Sequence, residues 1–194
     1  MEVGILLLAA GNSSRLGQSK QLVEVNGMPL LRKSAITALQ TNYPVLVVLG
    51  AQANEHQKVI ADLKTEVVLN PDWRLGMGSS LKTGLNLLVE KYPALQAVLV
   101  LVCDQPYLTT THLNTLIHKL ETESQAIIAS AYADTWGVPA IFRKELFTNL
   151  LQVADAAGAR KIIQQLSDQV HSVKFENGEI DLDTPQDLLH LPKN

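Results

Sequence analysis

The apolar run from Val3 to Ala10 ends in a loop reading Gly11-Asn-Ser-Ser-Arg-Leu-Gly-Gln-Ser-Lys20. Small residues let backbone N–H groups approach phosphate oxygens, and Arg15 and Lys20 would set two cations against triphosphate charge. Five residues separate Gly11 from Gly17 and Gln18 follows, so this is not a Walker A loop. The spacing does not fit the dinucleotide fingerprint either, which disfavours a nicotinamide oxidoreductase. The same composition would also suit a Gly-rich surface turn.

Two aspartate segments carry the next chemistry. Asp104 ends the most apolar stretch of the chain, in Val102-Cys-Asp-Gln-Pro106. A carboxylate unpaired at the rim of a sheet costs several kcal/mol, and a bound cation removes that cost. Mg²⁺ suits the place, because it takes one or two carboxylates plus substrate phosphates. The alternative is that Asp104 only caps the turn at Pro106 and the helix after Thr110 or Thr111. Asp181 and Asp183 alternate along an expected strand and so face the same side. Asp183 also stands just before Thr184-Pro185, where it would open a helix.

Smaller signals lie between these segments. Gly76 and Gly78 precede Ser79 and Ser80, which would cap the following helix. Trp73, beside Pro71, reads as local packing. Gly137 and Pro139 bracket an expected turn, and Asp155 to Arg160 opens a helix. His56, His112 and His118 fall in helical stretches and read as surface residues. Cys103 reads as a small buried hydrophobe, with no base in sight to make it a nucleophile.

The elements that position these residues follow from periodicity. Short apolar runs alternate with stretches of helical period, which is the βαβ pattern of a parallel sheet covered on both faces. Strands are expected at Val3–Ala9, Val45–Leu49, Glu66–Leu69, Ala97–Val102 and Ala126–Ser130. Helices are expected at Pro29–Gln40, Asn54–Leu63, Ser79–Glu90, Thr111–Glu121, Lys144–Leu151, Gly158–Leu166 and Pro185–His190. Asn177-Gly178 predicts a hairpin turn between His171–Phe175 and Glu179–Leu182. In an open α/β sheet ligands sit beyond the carboxyl ends of the strands, where the glycine loop and Asp104 fall.

Composition excludes several classes. The chain has 194 residues, of which 46% are apolar and 18% charged, and a chain of that length suits one domain, 1–194. Net charge is −3 and no Lys/Arg-rich run supplies the basic stripe that nucleic acid needs. The longest apolar stretch, Ala97 to Cys103, falls far below the ~20 residues that span a bilayer. No basic n-region precedes the first apolar run, and the lone Cys103 excludes an internal disulfide. A cytoplasmic protein is expected, with no membrane partner.

Leu8-Ala-Ala-Gly11, Ser13, Arg15, Gly17 and Lys20 resemble the LAAGxSxRxGxxK signature of the MobA-like nucleotidyltransferases, closest to their molybdenum cofactor cytidylyltransferase branch. The resemblance runs from Leu8 to Leu188 and implies a three-layer Rossmann-like α/β fold, with a mostly parallel sheet and helices on both faces. It implies that Leu8, Ala9, Ala10, Gly11, Ser13, Arg15 and Lys20 wrap the NTP phosphates, with Arg15, Lys20 and Asp104 catalytic. Asn70-Pro-Asp-Trp is similar to the family element that lies against base and ribose, which carries Gly78, Ser79 and Ser80 over as nucleotide-binding. Asp104-Gln-Pro looks like the family's metal triplet, and Asp181-Leu-Asp-Thr-Pro like its second one. That makes Mg²⁺ the cofactor and Asp104 and Asp183 its ligands, with Asp181 the lesser candidate. Ala10, where guanylyltransferases have Gly, implies CTP over GTP.

The family's acceptor segments map onto Gly137, Pro139 and Arg160, associated there with a pterin phosphate. Here Ala154 replaces the first glycine of the second segment, and Val138 stands where a polar residue often precedes the proline. The implied partners are CTP, a phosphorylated small molecule such as molybdopterin, and a molybdoenzyme receiving the product. The reaction would be attack of the acceptor phosphate on the NTP α-phosphorus. A phosphomonoester is largely dianionic near pH 7, so no side-chain base is needed. A sugar phosphate or phospholactate acceptor is the alternative within the fold. A non-catalytic maturation chaperone for a molybdoenzyme is the alternative outside it.

Overall fold

Every residue of β1 (Val3–Ala9) is buried, so this strand needs cover on both faces. The computed structural model describes residues 1–13, 16–182 and 186–187. A short hairpin of β2 (Glu24–Val25) and β3 (Met28–Pro29) stands apart from the main sheet. β4 (Val45–Leu49), β5 (Glu66–Leu69), β6 (Ala97–Val102), β7 (Ile127–Tyr132), β8 (Thr135–Arg143) and β9 (Val170–Lys174) join β1 in seven strands ordered β5-β4-β1-β6-β8-β7-β9. β5, β4, β1 and β6 are parallel; β8 runs antiparallel to β6 and β7, and β9 pairs parallel with β7.

Side chains alternate between two cores. Ile5, Leu7, Leu99 and Leu101 face one side with α1 (Leu30–Leu39) and α4 (Thr110–Thr122). Leu6, Leu8, Val98 and Val100 face the other with α3 (Met77–Lys91), α5 (Phe147–Leu151) and α6 (Ala159–Gln165). The three-layer, mostly parallel α/β architecture expected from the alternation is the one found. Among the described residues no helix is long and apolar enough to cross a membrane.

Four expected strands keep their bounds, while Ala126–Ser130 shifts to Ile127–Tyr132. Two expectations are corrected. Gly137 and Pro139 lie inside β8, which returns from β7 through Ala133 and Asp134, both at positive φ. That two-residue turn has the twist hairpins favour, but it lacks the glycine that would have announced it. Asn177-Gly178 makes no hairpin, because only Asn177 takes positive φ and Gly178 N–H bonds Phe175 O at 3.2 Å. Residues 179–182 form no strand, since Leu182 N–H bonds Asp104 O (3.1 Å) instead of returning along β9. The strand alternation expected of Asp181 and Asp183 is therefore absent at Asp181. Helix bounds shift slightly elsewhere, and α2 (Ala53–Lys58) stops short of Leu63.

His118 is exposed, but His56 and His112 are buried, which corrects their surface reading. His112 stacks on Phe175, with ring centroids 4.5 Å apart, and its Nε2 meets Ser130 Oγ at 2.8 Å. Ser130 Oγ donates to Pro139 O (2.6 Å), so Nε2 carries the proton shared with Ser130. Burial pushes the His112 pKa down to about 4.

Between about pH 6.5 and 4 the unfolded chain therefore binds a proton at His112 that the folded chain refuses, and stability falls with pH. The full effect is on the order of 3 kcal/mol. His112→Leu should flatten the loss of melting temperature between pH 7 and 4.5. An unchanged slope would mean that His112 is charged in the fold.

Candidate active site

Strand register sets the site. Leu8 of β1 lies opposite Val48 on one side and Val102 on the other, so residues 10–12 and 103–104 leave the sheet as neighbours. Between them opens a cavity of about 450 Å³, lined by Leu8–Asn12, Lys20, Gln21, Trp73, Arg74, Gly76, Met77, Ser80 and Val102–Asp104. This is the place the fold predicts for a ligand.

Lys20 Nζ donates to Asp104 Oδ2 at 3.1 Å on the cavity lining. Asp104 Oδ1 is buried with no hydrogen-bond partner among the described residues. Thr109, not Asp104, caps α4, its hydroxyl accepting from His112 N–H at 3.2 Å. A half-buried carboxylate on the cavity lining, with one buried oxygen lacking a partner among the described residues, fits a divalent cation. Among the described residues no three His, Cys, Asp or Glu side chains gather around one point. A cation here would therefore draw ligands from Asp104, the substrate and residues beyond those described. Cys103 is buried, and burial, with Asp104 beside it, drives its thiol pKa well up, as expected of a packing residue.

The glycine loop is held by a residue that spacing alone did not single out. Gln21 Nε2 donates to Ala9 O (3.1 Å) and Gly11 O (2.8 Å), and Oε1 accepts from Ser13 Oγ (3.2 Å) and Ser19 Oγ (3.0 Å). Ser13, expected to bind nucleotide, faces this network, accepts Lys20 N–H at 3.0 Å and is outside the cavity lining. The available signal was Gln21 itself, a polar residue two positions before the buried Val23. Arg15 and Asp183 lie outside the described residues, as does the helix expected at Pro185–His190.

The start of α3 differs from the expected cap. Gly76 is the N-cap, and Ser79 and Ser80 sit one turn in, where Asn70 Nδ2 donates to both hydroxyls (2.7 and 2.9 Å). Of the three residues expected to bind nucleotide here, only Ser80 lines the cavity. Gly78 instead packs on the 154–157 loop, its N–H bonded to Asp155 O at 2.8 Å. Trp73 does line the cavity, with the Arg74 guanidinium 4.5 Å over its ring.

The MobA-like NTP transferase domain profile matches residues 5–170. The chain belongs to the MobA-like NTP transferase family. It is 26% identical to the molybdenum cofactor cytidylyltransferase of Escherichia coli K12, covering 96% of this chain and 94% of that one. It is 31% identical, over the same shares, to the nicotine blue oxidoreductase of Paenarthrobacter nicotinovorans. Its fold matches Rv0371c of Mycobacterium tuberculosis H37Rv with a TM-score of 0.83 at 24% identity, covering 98% and 97% of the chains. Rv0371c has also been solved with manganese.

Gly137 and Pro139, expected to meet the acceptor, lie in the first half of β8 with Arg160 against its start, outside the cavity lining of this MobA-like chain. Gly137 lies against the Tyr132 ring, and a Cβ there would stand 2.9 Å from Tyr132 Cζ. Tyr132 Oη donates to Val138 O (3.1 Å), and Arg160 Nη2 donates to Thr135 Oγ1 (3.0 Å). Burial first, and Asp181 next, hold the Tyr132 pKa up. Gln105 Nε2 bridges Val138 O and Gly178 O, each at 3.1 Å, and so ties the segment carrying Asp181 to the strand carrying Gly137 and Pro139.

Gly78→Ala sets two effects against each other. Helix propensity alone would favour Ala by up to about 1 kcal/mol. The added Cβ, however, would meet backbone oxygens of Ala154 and Ala157, the latter at 2.6 Å. Overpacking against rigid backbone costs about 1–3 kcal/mol, so a net loss is expected in urea unfolding. A gain in stability would show that the 154–157 loop is not seated on α3.

Proposed function

We propose that this chain transfers CMP from CTP to a phosphorylated pterin, with pyrophosphate leaving. Membership in the family and the link to molybdenum cofactor biosynthesis supply the coarse frame. The carrying observation is the Lys20–Asp104 pair on the lining of a glycine-loop cavity, with Asp104 Oδ1 left without a partner among the described residues. That arrangement suits a triphosphate arriving with a divalent cation.

In this reading an acceptor phosphate oxygen forms a bond to the α-phosphorus as the α–β bridging bond breaks. The acceptor is already largely dianionic near pH 7, so the protein need not remove a proton. Asp104 and Asp183 would hold Mg²⁺, which when bound supplies charge neutralisation on the phosphates. Lys20 and Arg15 screen the β- and γ-phosphates, Ser80 and Trp73 bound the nucleoside side, and Gly137, Pro139 and Arg160 meet the acceptor. Catalysis is then positioning and charge stabilisation.

Pyrophosphate release with each of four NTPs, with and without a phosphorylated pterin, tests the reading. CTP should be preferred, since Ala10 is packed with Leu8 on the α3 side of the cavity floor and leaves little room for a purine. Ala10→Gly should narrow the CTP/GTP gap in kcat/KM without reversing it. A native preference for GTP would remove the cytidylyl assignment and leave the transferase one. Asp104→Asn should cut turnover by roughly 10²–10³ while the chain stays folded. Turnover within threefold of wild type at saturating Mg²⁺ would take Asp104 out of the site.

A redox activity is the second reading, because the 31% identical relative is an oxidoreductase. The missing dinucleotide fingerprint after β1 weighs against a nicotinamide version of it. NADH and NADPH oxidation assays, run beside pyrophosphate release, separate the two.

A further inference from the structure

We infer that Gln21 is a positioning residue that sets the shape of the phosphate loop before nucleotide arrives, an inference that rests on the nucleotide reading above. Gln21 is 2% exposed, and each polar atom of its amide has two partners. Two of those partners, Ala9 O and Gly11 O, are carbonyls and only accept, so the atom facing them must be the NH₂ group. The amide orientation is thus forced. The opposite atom, Oε1, must then receive the hydroxyl protons of Ser13 and Ser19. Ser19 has spent its one proton, so His56 Nε2, 2.7 Å from Ser19 Oγ, must be a donor. One directed chain runs from His56 through Ser19 and Gln21 to the two carbonyls.

The consequence falls on the loop's own N–H groups. A peptide is planar and trans, so fixing a carbonyl on one side fixes the next residue's N–H on the other. Turning Ala9 O and Gly11 O toward Gln21 therefore aims the N–H groups of Ala10 and Asn12 away from it, and both residues line the cavity. It also engages two carbonyl oxygens that would otherwise repel a polyphosphate. Through Ser13, which accepts Lys20 N–H, the same side chain fixes the limb that carries the Lys20–Asp104 pair. Gln21 staples residues 9–13 to residues 19–21, and a preformed loop spares the nucleotide the cost of ordering it.

The test compares Gln21→Met, which keeps length and loses every hydrogen bond, with Gln21→Glu, which sets a carboxylate against two carbonyls. In ligand-free protein, hydrogen exchange in residues 10–20 should quicken at least tenfold in Gln21→Met, while β6 and α4 keep their protection. CTP affinity should fall about 10- to 100-fold, and CMP affinity less than threefold, because the β- and γ-phosphates lose the aligned donors. Gln21→Glu should bind CTP worse than Gln21→Met at pH 8. Relative to wild type it should recover toward pH 5.5, as its carboxyl gains a proton to donate.

Unchanged loop exchange in Gln21→Met, or equal loss of CTP and CMP, would overturn the inference. Should Gln21→Met fail to fold, Ser19→Ala removes one arm and should show the same selectivity at roughly two- to fivefold; no change in exchange there overturns it as well. If the wild-type chain binds no nucleoside triphosphate, the transferase reading fails by itself. Loop exchange then still decides whether Gln21 shapes the loop.

Discussion

The register of β1 between β4 and β6 is the constraint on which the site depends. Pairing Leu8 with both Val48 and Val102 leaves no freedom in where Ala10 and Asp104 emerge. A slip of one residue would turn Ile5, Leu7 and Ala9 from one core to the other, along with the mates they pack against. Because β1 is buried on both faces, such a slip exchanges the contents of two cores at once. The placing of Asp104 beside the start of the glycine loop is in that sense set by hydrophobic packing, not by the ion pair.

The ion pair alone is weak evidence for stability. Both side chains keep some solvent exposure, at 16% and 22%, so screening reduces what the contact contributes. Among the described residues only one carboxylate oxygen of Asp104 is satisfied, and a purely structural design would have paired or replaced the other. The neighbourhood makes the same point from the other direction. Lys33 Nζ reaches from α1 to Pro106 O at 2.5 Å, and Gln105 holds Val138 and Gly178, so the turn around Asp104 is braced on two sides. The bracing fixes a carboxylate whose Oδ1 has no partner among the described residues.

How much of this the chain declared in advance varies by element. The central parallel strands were legible because they are buried on both faces, so their apolar runs have sharp ends; Val45–Leu49 and Ala97–Val102 came out unaltered. The β7–β8 hairpin was not, because its turn residues, Ala133 and Asp134, reach positive φ without a glycine, and Gly137 and Pro139 read as breakers in what is strand. The buried histidines were missed because helical period shows that a face exists but not which neighbour covers it. Among the candidate site residues, Lys20 and Asp104, expected to hold phosphate and metal, meet in an ion pair, whereas Ser79 and Gly78 serve local packing. Gln21 escaped notice because a buried amide has no spacing of its own. Its role appears only when the loop's carbonyls are placed around it.

Under the proposed function the two halves of the sheet would divide the chemistry. The parallel half offers loops that leave strand ends side by side, which suits a cavity for one extended anionic ligand. The antiparallel β8 inserts between β6 and β7 and brings its own beginning, Thr135 to Val138, to the same edge where the parallel strands end. That reversal brings Gly137 to the edge that carries Asp104, beside Tyr132, where β7 ends. A second ligand placed there would meet the first across Asp104, from the side opposite the glycine loop. Under the proposed transfer, each half of the sheet would then hold one of the two phosphorylated molecules.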